Sequence, residues 1–221
     1  MSGGKLTELQ WRVLQALAGM EPPWALTGGA ALAGVHLGHR VTRDLDLFWH
    51  GSGQLGDLPR AVQERLRSAG LEVTVLQSAP SFQRLQASDG NTSCVVDLVA
   101  DETPVVEPPE IVVAGNTTFT VDTRHEILVN KLCALLSRSE LRDLQDVKAL
   151  VEAGTDLDRA LADAPRKDAG FSPLTLAWVL RGLEITLLSR ASDVSRESTE
   201  QLVAFRDWLV DYLAASAAPE E

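Results

Sequence analysis

The apolar pattern of the sequence changes near Asp122, and this change limits the possible folds more than any other feature. Before it, short runs of strand-like composition are separated by turn residues; they lie at residues 71–76, 82–87, 94–99 and 117–121. After it, apolar residues recur at helical spacing, as in Ile127, Leu128, Leu132 and Leu135. The sequence therefore predicts an α/β domain at residues 1–122, with a mixed sheet and flanking helices, and a helical C-terminal domain at residues 123–221.

Helix and strand signals also alternate before the first of these runs. Extended segments at 24–26 and 44–49 flank the Gly28-Gly29 turn and a helix that starts at Ala30. A tail at 214–221 is predicted to fray. The remaining predicted helices lie at residues 6–20, 58–69, 127–136, 141–151, 174–188 and 199–213.

Composition places the chain among ordinary globular proteins. Of its 221 residues 45% are hydrophobic, and no apolar window approaches the length of a membrane span. Residues 1–5 lack the charged start and apolar core of a signal peptide. Cys94 and Cys133 lie in apolar stretches without metal-ligand spacing, which is typical of reduced core thiols. These features predict a cytoplasmic protein with no membrane partner.

The formal net charge of −11 argues against nucleic-acid binding over the whole surface, because counterion release requires local lysine or arginine. Residues 124–148 differ from the rest. They hold five basic and four acidic residues, a local charge of about +1. A local basic patch is therefore compatible with the acidic chain.

The strongest chemical signal is the Asp44-x-Asp46 pair on a predicted strand. Residues two apart on a strand point to the same face, so the two carboxylates lie side by side, which is costly unless a cation lies between them. Oxygen ligands of this kind suit Mg²⁺, which usually shares its shell with substrate phosphates. Upstream, Gly28-Gly29 allows the backbone to approach a phosphate closely at the start of a helix.

A third carboxylate, Asp97, interrupts the apolar strand predicted at residues 94–99. A charged residue inside such a run is rarely buried without a partner. One interpretation is that Asp97 pairs with an arginine; the other, which we favour, is that it completes a three-carboxylate metal site with Asp44 and Asp46.

Two sets of motifs resemble the AbiEii/AbiGii-type nucleotidyltransferase toxin family, within the DNA polymerase β-like superfamily. The first is Thr-Gly-Gly-Ala-Ala-Leu at 27–32 followed by His-Arg-Val-Thr-Arg-Asp-Leu-Asp-Leu-Phe at 39–48. The second is the segment 129–138, which carries Lys131, followed by Leu-Arg-Asp-Leu-Gln-Asp-Val at 141–147. The resemblance implies a nucleotidyltransferase fold and transfer of a nucleoside monophosphate from an NTP to an acceptor hydroxyl.

The resemblance also implies roles for individual residues. Gly28 and Gly29 would hold the triphosphate, and Asp44, Asp46 and Asp97 would bind the catalytic Mg²⁺. Lys131 would contact the nucleotide phosphates. The last acid of the family pattern matches Asp146, which is a candidate base or positioning group. Arg142 lies four residues earlier on the same helix face, where it could orient the Asp146 carboxylate, and it is assigned to nucleotide binding. The remaining arginines with a predicted phosphate or RNA contact are Arg40, Arg43 and Arg138.

The resemblance further implies an RNA acceptor, plausibly a tRNA 3′ end, and a toxin that is paired with an antitoxin protein. One departure is Ala30, where nucleotidyltransferases usually carry Ser or Thr after the second glycine. Two alternatives therefore stay open: an enzyme that modifies a small molecule or a protein hydroxyl, and a catalytically weak nucleotide- or partner-binding module. Lys131 could equally be a solvated helix residue, and Asp143 and Asp146 part of a surface ion-pair network.

Overall fold

The computed structural model describes residues 6–192 and 194–216, and it divides into two compact units, one up to Arg124 and one from His125. The prediction that no signal peptide is present rests on residues 1–5, which lie outside the described residues. The same holds for the last five residues of the predicted frayed tail, whereas 214–216 are helical. Within the described ranges, no helix is long and apolar enough to cross a membrane.

The first unit is built on a mixed sheet. Among the described residues the sheet has seven strands in the order β3-β4-β5-β2-β1-β7-β6, where β2 runs parallel to β5 and β1 runs parallel to β7. The strands are β1 (Ala25–Thr27), β2 (Asp44–His50), β3 (Glu72–Ala79), β4 (Phe82–Ser88), β5 (Ser93–Asp101), β6 (Glu110–Ala114) and β7 (Thr117–Val121). The helical segments are α1 (Glu8–Leu17), α2 (Gly28–Ala31), the π-helical turn Leu32–His36, and α3 (Leu58–Ser68).

Strand β2 shows why one face of this sheet carries polar groups. Its odd-numbered residues Leu45, Leu47 and Trp49 are buried, while Asp44 and Asp46 are half-buried on the opposite side. This alternation is the period of two expected for a strand with one core-facing side. The buried side therefore fixes the direction of both aspartates.

The helices of the first unit complete its core. Helix α1 begins with a capping box, in which the hydroxyl of Thr7 accepts from the backbone N–H of Gln10 and the Gln10 side chain accepts from the backbone N–H of Thr7. It buries Val13, Leu14 and Leu17 completely and contacts α3. Burial of such side chains contributes about 1.5–3 kcal/mol each relative to exposure.

The second unit is helical. Its elements are α4 (Arg124–Arg138), α5 (Leu141–Glu152), α6 (Leu157–Lys167), α7 (Pro173–Arg181), α8 (Ile185–Ala191) and α9 (Arg196–Ser216). Helix α9 contacts α5, α7 and α8. A hydrogen bond and an ion pair join α4 to α6: Nε2 of His125 lies 2.9 Å from Oδ2 of Asp163, and Lys167 pairs with Glu126.

The fold confirms the α/β class and differs from the sequence prediction in three elements. Strand β6 and helix α6 have no counterpart among the predicted segments. The region 174–188, predicted as one helical segment, contains two helices, because α7 ends at Arg181 and α8 begins at Ile185. The division into domains at 122/123 stays a prediction.

Candidate active site

Strand register brings Asp46 and Asp97 to adjacent positions on one face of the sheet. Asp46 of β2 pairs with Asp97 of the parallel neighbour β5, and with Thr27 of the antiparallel neighbour β1. Asp44 lies two residues before Asp46 and therefore on the same face. The three carboxylates predicted from sequence are thus placed on two neighbouring strands with their side chains directed alike.

The same row continues onto β4, where Arg84 pairs with Asp97. Neighbouring strands are about 4.8 Å apart, so Arg84, Asp97, Asp46 and Thr27 form one line across four strands. We call this line the carboxylate row. It places a guanidinium, two carboxylates and the start of the glycine turn side by side.

The Gly28-Gly29 turn lies against the side chains of Asp46 and Arg40. Gly28 has φ +60°, and a Cβ atom on it would lie 2.5 Å from Oδ2 of Asp46, so both its conformation and its surroundings require glycine. A Cβ atom on Gly29 would lie 2.6 Å from Nη2 of Arg40. The turn therefore contacts a carboxylate through one glycine and a guanidinium through the other. The next residue, Ala30, is completely buried.

Asp97 is engaged by Arg84 through both of its oxygens. Nε of Arg84 donates to Oδ1 at 2.8 Å, and Nη2 donates to Oδ2 at 2.6 Å. The Asp97 side chain is 8% exposed and that of Arg84 is 42% exposed. The hydrogen bonds to Asp97 raise the pKa of Arg84 despite some burial, and the charges of Asp44 and Asp46 raise it further. The arginine partner that one sequence interpretation required is therefore present.

Asp46, in the carboxylate row, and Asp44, two residues before it on the same face, suit a hard divalent cation. Carboxylate oxygens are the ligands Mg²⁺ prefers, and Gly28 leaves space beside Asp46 that a side chain would fill. In the described part of the chain, no group of three or more His, Cys, Asp or Glu side chains is arranged to hold a metal ion. The participation of Asp97 as a third metal ligand stays a prediction.

The second unit contains a buried ion-pair cluster around Lys131. Its Nζ lies 2.8 Å from Oδ1 of Asp143 and 2.8 Å from Oδ2 of Asp146, and both aspartates are completely buried. Arg138 also donates to both oxygens of Asp143. These aspartates are therefore not part of a surface network, as one sequence interpretation had it, but hold an almost fully buried lysine.

The pKa values in this cluster follow from its charges. Burial alone would lower the pKa of Lys131, but the carboxylates of Asp146 and Asp143 outweigh it and raise the pKa. Burial alone would raise the pKa of Asp143, but Arg138 and Lys131 lower it. Lys131 and Asp143 are thus both held in their charged forms.

Arg142, predicted to bind nucleotide and to orient Asp146, is 61% exposed and donates to Glu140 at 3.0 Å. Its role stays a prediction. Lys131, Arg142 and Asp146 belong to the second unit, whereas the glycine turn and the carboxylate row belong to the first.

One polar network, centred on His50, was not predicted from the sequence. Its Nε2 lies 2.9 Å from Oδ1 of Asp122, and its Nδ1 lies 3.7 Å from Oδ2 of Asp101. Burial alone would lower the pKa of His50, but these two carboxylates raise it to about 9. The signal that could have found it is the spacing of His50 four residues after Asp46, on the same face of β2.

The family assignment follows from this fold and these motifs. A family model described as "Nucleotidyl transferase AbiEii toxin, Type IV TA system" matches residues 12–216. The chain therefore belongs to the AbiEii family of nucleotidyltransferase toxins and is a nucleotidyltransferase. A nucleotidyltransferase uses a nucleoside triphosphate, and enzymes of this class generally use a divalent metal. No curated protein sequence matched the chain.

Solved structures support the same fold. A candidate nucleotidyltransferase from H. pylori has 19% sequence identity and a TM-score of 0.55, and the match covers 97% of this chain and all of that one. The protein JHP933 from Helicobacter pylori has 19% identity and a TM-score of 0.53, with 95% of this chain and 92% of that chain covered. At this level of identity the likeness shows the fold alone.

Proposed function

We propose that this nucleotidyltransferase binds Mg²⁺ at Asp44 and Asp46 and transfers a nucleoside monophosphate to the 3′ end of a tRNA. We further propose that it acts in the cytoplasm as the toxin of a toxin–antitoxin pair, with an antitoxin protein as partner. The single observation that carries the proposal is the placement of Gly28 directly against the Asp46 carboxylate. It joins a turn suited to phosphate and a pair of carboxylates suited to a cation in one place.

The reaction makes and breaks one bond at the α-phosphorus. The acceptor hydroxyl oxygen bonds to that phosphorus and releases its proton to solvent water. The bond from phosphorus to the oxygen shared with the β-phosphate breaks, so that pyrophosphate leaves. When bound, Mg²⁺ supplies a positive charge that offsets the charge developing on the phosphate oxygens. The residues of this chain orient the reactants, which is the main contribution of a protein to phosphoryl-type transfer.

The chain offers hydrogen-bond donors for the triphosphate in each unit. In the first unit, the backbone N–H groups of the glycine turn and the Arg40 guanidinium beside Gly29 suit phosphate oxygens. In the second, Lys131 is the proposed phosphate contact. Because Asp146 accepts from Lys131 at 2.8 Å, we favour a positioning role for Asp146 over that of a base.

An RNA acceptor is supported by the toxin family to which the chain belongs. A nucleotide added to the 3′ end of a tRNA would block aminoacylation, which gives a toxic outcome from a single transfer. The small-molecule or protein acceptor remains the competing prediction, since the net charge of −11 disfavours extended RNA contacts.

The test is a labelling assay with each of the four α-labelled NTPs, Mg²⁺ and total tRNA. Wild type is compared with Asp44→Ala and with Asp57→Ala, a matched control because Asp57 is exposed and its side chain makes no capping hydrogen bond. We expect label on tRNA with wild type and Asp57→Ala but not with Asp44→Ala. Label on protein or on small molecules alone would overturn the tRNA acceptor, and equal labelling by Asp44→Ala would overturn the metal site.

A further inference from the structure

Arg84 lies at the end of the carboxylate row and is not part of either family signature in this sequence. Its guanidinium binds both oxygens of Asp97 and also lies over the ring of Phe82, with 5.8 Å between Cζ and the ring centroid. A bidentate arginine–carboxylate pair has a fixed, planar geometry and is among the stronger polar contacts in proteins. Arg84 is therefore a defined part of this face and not a loosely placed surface residue.

This contact conflicts with the use of Asp97 as a metal ligand. A guanidinium and a divalent cation on one carboxylate would lie a few ångströms apart, and like charges at that distance repel. Both oxygens of Asp97 accept hydrogen bonds from Arg84, so a cation shared by Asp46 and Asp97 would use the remaining lone pairs directly beside the guanidinium and weaken these bonds.

The two partners differ in their freedom to move. The Asp97 side chain is 8% exposed on a central strand, whereas that of Arg84 is 42% exposed on β4. An exposed arginine can change rotamer and remain hydrated, while a buried aspartate has little space to turn. If the pair opens, Arg84 is the group that leaves.

We propose that Arg84 is a positioning residue that competes with the catalytic divalent cation for Asp97. This inference rests on the proposed function, since it takes the cation to bind beside Asp44 and Asp46. When no metal is bound, the guanidinium offsets the negative charge of the row and holds the Asp97 carboxylate in place. When the metal binds, the guanidinium moves away from Asp97, and the carboxylate completes the metal's ligand set.

The expected signature is a change in metal affinity that does not depend on turnover. Removing the competitor should tighten metal binding, because no guanidinium then repels the cation at Asp97. We expect Arg84→Gln to bind Mn²⁺ about tenfold more tightly than wild type, which corresponds to the loss of a modest charge-assisted contact. Arg84→Lys, which keeps the charge but cannot bind both oxygens in a fork, should lie between the two.

The experiment is a Mn²⁺ titration followed by electron paramagnetic resonance, without nucleotide. Arg60→Gln is the matched control, because Arg60 is 82% exposed on α3 and pairs with a glutamate outside the carboxylate row. The titrated proteins are wild type, the two Arg84 variants and Arg60→Gln. Asp97→Asn and the double variant Arg84→Gln/Asp97→Asn are titrated as well. We expect the tightening by Arg84→Gln to disappear in the Asp97→Asn background, which a purely structural role of Arg84 would not produce.

The Asp44→Ala variant distinguishes a failure of the competition by Arg84 from a failure of the proposed metal site. If Asp44→Ala abolishes Mn²⁺ binding but Arg84→Gln leaves it unchanged or weakens it, the competition by Arg84 is overturned and the proposed metal site stands. If Asp44→Ala leaves Mn²⁺ binding unchanged, the metal site of the proposed function is wrong, and the competition is overturned with it. Circular dichroism of each variant verifies the fold, and Arg84→Lys provides the comparison should Arg84→Gln unfold.

Discussion

Gly28 lies so close to Asp46 that a Cβ atom at residue 28 would be 2.5 Å from the Asp46 carboxylate oxygen Oδ2. The glycine also has φ +60°, a conformation that other residues adopt only at a cost of roughly 1–2 kcal/mol. Backbone strain and a direct clash therefore coincide at this position. The two contributions can be separated by experiment.

Gly28→Ala should lower the stability of the protein and abolish nucleotidyl transfer, because the new methyl group displaces the Asp46 carboxylate. Gly56→Ala is the matched control: Gly56 has φ +53°, and nothing lies within 4 Å of its added Cβ. Urea unfolding should show a loss of about 1 kcal/mol for the control, with a larger loss for Gly28→Ala. Equal losses, or full activity in Gly28→Ala, would contradict the close contact with Asp46.

Lys131 holds two completely buried carboxylates, and its removal should destabilise the second unit strongly. Lys131→Met leaves Asp143 and Asp146 without this cation, and breaking a buried pair in this way costs about 3–5 kcal/mol. Lys148→Met is the control, because the partner of Lys148, Glu152, is 59% exposed, and such pairs contribute about 1 kcal/mol or less. Urea unfolding of both variants measures the difference.

A double variant shows whether the effect comes from the uncompensated charge. Replacing Asp146 by Asn in the Lys131→Met protein should recover part of the lost stability, since one buried negative charge is removed. A further loss on adding Asp146→Asn would mean that the aspartate is stabilised mainly by other groups.

His50 should make folding stability depend on pH above neutrality. Its pKa is about 9 in the folded protein, raised from 6.5 by the carboxylates of Asp101 and Asp122 against the effect of burial. Because the folded state holds this proton more tightly, the stabilisation is fully present below about pH 6.5 and is lost as the pH rises through 9. The change is on the order of 3 kcal/mol.

Unfolding in urea at pH 6, 7.5 and 9.5 measures this dependence. His50→Gln should remove most of the decline between pH 6 and 9.5. A slope that survives in His50→Gln would show that other groups titrate in this range.

The sequence could predict which face of a strand a side chain lies on better than which residue of the neighbouring strand it pairs with. Alternation along residues 44–49 predicts the common face of Asp44 and Asp46, since a strand has a period of two and one face must be buried. It does not contain the register of β5 against β2 and β4, which places Asp97 opposite both Asp46 and Arg84. Both interpretations of Asp97 thus rested on a register that only the folded sheet defines.

The burial of Asp143 and Asp146 in the second unit could not be predicted from the sequence either. Helical spacing places Asp143 and Asp146 on α5, and an isolated helix would expose them. Packing against the other helices buries them, and the charge of Lys131 makes that burial tolerable. His50 shows the same limit, because its partners Asp101 and Asp122 are more than fifty residues away in the chain.

Gly29 should affect nucleotide binding through Arg40. A Cβ atom on Gly29 would lie 2.6 Å from Nη2 of Arg40, the far end of a flexible side chain, so Gly29→Ala can be accommodated by moving the guanidinium. We therefore expect little loss of stability but a KM for NTP that rises roughly tenfold, as for the loss of one charge-assisted phosphate contact. Arg40→Ala should raise KM to a similar extent.

The double variant Gly29→Ala/Arg40→Ala distinguishes this explanation from direct damage to the turn. If Gly29→Ala acts by displacing Arg40, adding it to Arg40→Ala should leave KM nearly unchanged, since the guanidinium is already absent. Multiplied effects on KM would show that Gly29 contributes on its own, through its backbone. Steady-state transfer assays with the preferred NTP, together with the melting temperature of each variant, decide between the two.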